Sequence, residues 1–151
     1  MAVTIKHSLG KSERLKSRKQ IDRLFAAKSF VTTAPIRLFF QFEFHQNDID
    51  MGAGSQVSAI KAGFGCSKKF FKQATKRNRV KRLIREAYRK QKAPLLAFCN
   101  QHSIGLNLFW LYGHKQLPSY IEVEKKVDKL LAEVAKKLGK ALKDRENSSF
   151  L

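Results

Sequence analysis

The sequence predicts an α+β domain, a two-layer α/β sandwich in which helices pack on a small mixed sheet with one βαβ crossover. Two periods carry this reading. Three segments alternate apolar and polar residues as strands do, and three others repeat apolar residues at helical spacing. Their order, helix, strand, strand, helix, strand, helix, places a helix between the second and third strands. With 151 residues, 43% of them hydrophobic, the chain is long enough for one core and short for two. A single domain over residues 1–151 is expected, with its ordered core at about residues 12–138.

Residues 1–16 are basic and weakly patterned, so the start reads as mobile, as does the polar tail 140–151. Ser17 and Gln20 have the spacing of a capping box, and Ile21, Leu24 and Phe25 follow at i, i+3 and i+4, which predicts a short helix over 18–27. After Pro35 the period changes to two. Ile36, Leu38, Phe40, Phe42 and Phe44 alternate with Arg37, Gln41, Glu43 and His45, the pattern of a half-buried strand. Phe39 breaks the alternation. It reads either as an apolar contact under the first helix or as a platform on which a nucleobase stacks, and both hold if that helix and the sheet wall one cleft.

Residues 46–56 have the Asn, Asp and Gly content of an exposed connection. A second strand is predicted over 57–66, with Ile60, Ala62, Phe64 and Cys66 on one face and Gly63 and Gly65 allowing close approach on the other. A basic helix should start between Phe71 and Thr75 and end by Ala93, since Pro94 disfavours helical geometry before it. Ile104, Leu106, Leu108 and Trp110 then alternate before the run turns wholly apolar, which predicts a central strand to Tyr112. Ser119 and Glu122 form a second capping box. Val127, Leu130, Leu131, Val134 and Leu138 supply the stripe of a final helix ending before Gly139.

The charge points to function. The net charge is +19, and the stretch from Lys68 to Lys92 holds twelve basic residues against the single acid Glu86, so eleven of the nineteen net charges lie there. On a helix, Val80, Leu83, Ile84, Ala87 and Tyr88 make an apolar stripe while Asn78, Arg82, Arg85 and Arg89 gather opposite. A bare solvated face is the bland alternative, but like charges at this density repel unless phosphate neutralises them. No second helix stands at helix-turn-helix spacing before the basic one, which favours RNA over DNA. Two distant cysteines, Cys66 and Cys99, suit a reduced cytoplasmic protein, and no apolar run reaches the roughly 20 residues of a membrane span. His7, His45, His102 and His114 are scattered, and the carboxylates form no catalytic pair, so no catalytic or metal-binding residue is assigned to the protein.

The run from Lys76 to Tyr88, with its Arg77-Asn78-Arg79 core, closely resembles the signature helix of the protein component of bacterial ribonuclease P. Ser67-Lys68-Lys69 ahead of it, Arg14-Leu15 with Ile21-Asp22-Arg23-Leu24-Phe25, and the capped final helix occur in the same order. The resemblance implies a ribosomal-protein-like fold with a left-handed crossover, against the right-handed default. It implies a partner, the catalytic ribonuclease P RNA, and a substrate, precursor tRNA, cleaved to leave the mature 5′ end. Mg²⁺ would be bound mainly through the RNA, with no organic cofactor and no obligate protein partner. Carried over by position, Lys68, Lys69, Arg77, Asn78, Arg79, Lys81, Arg82 and Arg85 would face the RNA subunit, with Arg89 on the same helix, and Ile21, Phe25 and Phe39 would line a cleft for the 5′ leader. Two stretches depart from the family pattern: Ile21 stands where an aromatic is common, and Leu111-Tyr112-Gly113 where an Ala-Arg pair is usual. A structural RNA-binding protein, such as a ribosomal protein, is the alternative reading.

Overall fold

The computed structural model describes residues 9–44 and 59–148. The exposed connection read at 46–56, the first residues of the strand read at 57–66, His7 and His45 lie outside them. Four strands, β1 (Phe30–Thr33), β2 (Ile36–Phe44), β3 (Ile60–Cys66) and β4 (Ile104–Tyr112), form one mixed sheet in the order β1-β2-β4-β3. The β1-β2 and β2-β4 pairs are antiparallel, and β3 runs parallel to β4. The parallel pair is joined through α2 (Ala74–Gln91) and α3 (Ala93–Gln101), which is the βαβ crossover expected. The remaining helices are α1 (Arg18–Ala26) and α4 (Tyr120–Ser148), with a short 3₁₀ turn at Lys11–Glu13.

Alternation divides the sheet into two faces. Leu38, Phe40, Ile60, Ala62, Ile104, Leu106, Leu108 and Trp110 point to the main core, where Val80, Ile84, Ala87 and Tyr88 of α2 and Val123, Val127, Leu130, Val134 and Leu138 of α4 meet them. Every residue of the stripe expected on α4 is buried, and β4 is a central strand, beside β2. On the other face a second, smaller cluster joins Leu15 and Leu24 to Phe39, with Ile21, Phe25, Phe109 and Leu111 packed against it. Thus α1 and the segment before it cover that face. Ser17 caps α1 by accepting a hydrogen bond from the Gln20 amide at 3.4 Å.

Three elements differ from expectation. The basic helix ends before Ala93 as expected, at Gln91, but the unread helix α3 follows at once with Pro94 in its first turn, where its missing amide N–H has no intrahelical partner to lose. The strand β1 was unread because four residues with two threonines give too short an alternation, although Val31 is buried in the core. The last helix runs through Gly139 to Ser148, a cost of about 1 kcal/mol for a mid-helix glycine. Half-buried Ala141 and Leu142 follow, and the Arg145 guanidinium lies 4.5 Å from the Phe44 ring centroid.

The basic start is also tied down from Leu9 onward. The Leu15 amide donates to the Ala62 carbonyl at 3.0 Å, and Arg14 forms a parallel bridge with Ala62, so this segment lies along β3. Glu13 accepts from the Gly10 amide at 2.8 Å and from Lys92 Nζ at 2.5 Å. Lys92, between α2 and α3, is only 3% exposed.

Candidate nucleic-acid interface

The basic helix is anchored by its apolar stripe, which leaves Asn78, Arg79, Arg82 and Arg85 exposed. Asn78, Arg79 and Arg82 share a shallow concavity of about 500 Å³ with Thr75 and Leu83. Lys81 is half-buried, and Arg85 leans toward β3, its guanidinium 5.5 Å from the Phe64 ring centroid. Lys68 and Lys69 are exposed on the loop between β3 and α2. That loop is held by Arg77, which donates to the Phe71 and Lys72 carbonyls at 2.7 and 2.8 Å. Arg77 therefore positions the loop lysines, and part of its donor capacity is already used.

Arg89 differs from its neighbours in another way. It donates to Glu86 through two nitrogens, at 3.1 and 2.6 Å, and these hydrogen bonds hold the Glu86 carboxyl below the usual carboxylate range. The charge of Arg89 is offset locally, whereas Arg79, Arg82 and Arg85 have no carboxylate partner among the described residues. Beside the helix, burial pushes the Cys66 thiol up, with Arg77 and Lys81 opposing it.

The second feature lies on the opposite face of the sheet. Pairing register sets Phe30, Phe39, Phe109 and Gly63 in one row across β1, β2, β4 and β3. Phe25 of α1 meets this row edge-on, its ring centroid 4.6 Å from Phe39 and 5.1 Å from Phe109. Phe39 itself is only 8% exposed, so its ring serves as the floor of the second core, while Ile21, Phe25 and Phe109 keep accessible surface. The close approach expected at the glycines is that of a ring. A Cβ on Gly63 would come within 2.7 Å of Phe109, and one on Gly65 within 2.9 Å.

Phe109 was missed in sequence because it sits in the wholly apolar run Leu108-Phe109-Trp110-Leu111, where alternation loses its meaning. The pair of glycines on the neighbouring strand was the signal for it. Among the described residues, no group of three or more His, Cys, Asp or Glu side chains is placed to hold a metal ion. The chemistry available is phosphate pairing on one face and base contact on the other.

A small mixed-sheet domain with an arginine-lined helix and an aromatic cleft defines a class, the compact basic RNA-binding proteins. Comparison with known proteins makes this specific. The family model described as Ribonuclease P matches residues 9–135. The ribonuclease P protein component of Porphyromonas gingivalis is 32% identical over 127 residues, 84% of this chain and 86% of that protein. That of Chlorobium phaeobacteroides is 32% identical over 132 residues, 83% and 86% of the two chains. In fold, the Staphylococcus aureus RNase P protein superposes with a TM-score of 0.58 at 17% identity, covering 83% of this chain and 97% of that one. The Thermotoga maritima protein gives 0.56 at 20% identity, covering 79% and 94%. The chain belongs to the ribonuclease P protein family, subunits of an RNA-based endoribonuclease that processes tRNA.

Proposed function

We propose that the outward face of α2 and the loop before it dock on the catalytic RNA, while the cleft between α1 and the sheet holds the 5′ leader of precursor tRNA. The observation that carries this reading is the separation of the two surfaces. Exposed Arg79, Arg82 and Arg85 lie on α2, on the side of the main core, and Phe25 and Phe109 on the opposite side. Guanidinium groups pair with phosphate through forked donors. Apolar rings instead take unpaired bases, which only a single strand offers. One protein can then hold the catalyst and the substrate's leader at once and promote cleavage at the mature 5′ end.

Lys68, Lys69, Arg77, Asn78, Lys81 and Arg89 complete the RNA-facing set in this proposal, Arg77 chiefly by positioning the loop. Ile21 flanks the leader by packing, and Phe39 supports the rings that make contact. The protein's own residues do not suit Mg²⁺, since the face offered to RNA is cationic, so the ions belong to the RNA and no step is assigned to a protein-held metal. No helix of the described residues is long and apolar enough to cross a membrane. The cytoplasm, with no obligate protein partner, is the proposed setting.

The test is cleavage of precursor tRNA by the RNA subunit at low Mg²⁺, with and without this protein. Addition should raise 5′ cleavage. Phe25→Ala should lower affinity for precursor about tenfold, as loss of one base contact does, and leave mature tRNA unaffected. No gain in cleavage, or equal losses on both substrates, would return the chain to a purely structural RNA-binding role.

A further inference from the structure

The aromatic row continues past the cleft. Phe30, at the β1 end, is 43% exposed and has its ring 5.6 Å from Phe39. Only Leu117 and Ile121 join it as exposed large hydrophobics among the described residues. The Arg37 guanidinium lies 4.7 Å from the Phe30 ring centroid, and Arg37 has no carboxylate partner among the described residues. Next to them opens a cavity of about 310 Å³ whose lining includes Thr32, Arg37, Phe70 and Leu111. What β1 contributes to the core is Val31, so the exposed Phe30 ring is not needed there.

We infer that Phe30 and Arg37 form an outer nucleotide subsite for single-stranded RNA, continuous with the cleft. This rests on the leader reading above and extends it to leader residues farther from the cleaved bond. A base stacks on the Phe30 ring in place of the guanidinium, a favourable exchange because stacking outweighs an exposed cation–π contact. Arg37, freed on its flexible stem, pairs with the adjoining phosphate. Duplex is excluded, because its bases present no open face to a ring. The +19 charge selects a polyanion over an apolar peptide.

The experiment measures binding of the reconstituted holoenzyme to precursors whose leader is lengthened one nucleotide at a time. Affinity should step up again when the leader reaches β1. Phe30→Leu should abolish that outer step, a loss of roughly tenfold, and Phe30→Trp should retain it. Arg37→Ala should shrink the step and its salt dependence. Thermal melting of each variant, expected to match the parent because both side chains are exposed, separates binding from folding. If Phe25→Ala weakens leader binding while Phe30→Leu leaves every step intact, the outer subsite is overturned and the cleft stands. If neither variant distinguishes precursor from mature tRNA, both readings fall.

Discussion

Gly63 shows how one missing side chain shapes the aromatic face of the sheet. Its place opposite Phe109 lets the ring lie over the β3 backbone, and the ring is pinned from above by Phe25. Gly63→Ala should destabilise the fold by about 1–3 kcal/mol through overpacking, and should disturb leader binding by moving Phe109. A double-mutant cycle with Phe109→Leu, read by denaturant melts, should recover much of the loss. Cys99 offers a residue-scale test of a different kind. It is fully buried, and burial pushes its thiol up from 9.0 to about 11. Above pH 9 the unfolded chain binds fewer protons at this group than the folded one, so its contribution to stability is present below pH 9 and is lost as pH rises toward 11. The stability–pH slope of Cys99→Ala should be flatter than the parent's over that window. At neutral pH, alkylating reagents should label Cys99 only on unfolding.

Among elements, the strongest dependence is between parts distant in sequence. Glu13 of the 3₁₀ turn and Lys92 at the α2–α3 junction form an ion pair with Lys92 almost wholly enclosed. Removing the carboxylate takes the Glu13 counter-charge away from an enclosed ammonium, so Glu13→Ala should destabilise the fold in a chemical melt, by about 3–5 kcal/mol at most. Glu13→Leu combined with Lys92→Met should cost much less, since no charge is then left unpaired. The elements legible in sequence were those long enough to show a period: α1, β2, β3, α2, β4 and α4 each declared one and, in α1 and α4, a serine cap. Those that were not legible depend on tertiary context. Nothing within four residues reveals β1, and whether a proline ends one helix or begins another depends on whether Leu95 and Cys99 beyond it find a core. The basic site was readable because its charges cluster in sequence. The aromatic cleft was readable only in part, since Phe25, Phe39 and Phe109 come from three elements and meet only in space.

At the scale of the whole molecule, the +19 charge makes binding a matter of counterion release. Arg82→Ala should weaken association with the RNA subunit and lower the magnitude of the log–log salt slope by about one, the loss of one phosphate contact. Arg89→Ala should change that slope less, because Glu86 already offsets its charge. A titration series between low and moderate salt distinguishes the two. The proposed division of labour across the sheet also predicts that α2 variants affect RNA-subunit affinity and cleft variants affect leader affinity, with little crosstalk. Finally, the strip of chain from Arg14 to Leu15 that pairs with Ala62 has a bearing on the protein before it meets any RNA. The open flank of β3 would otherwise offer unpaired amides and carbonyls to a second copy. By occupying part of that flank with its own basic segment, the molecule places both a steric plug and like charge where self-association would begin.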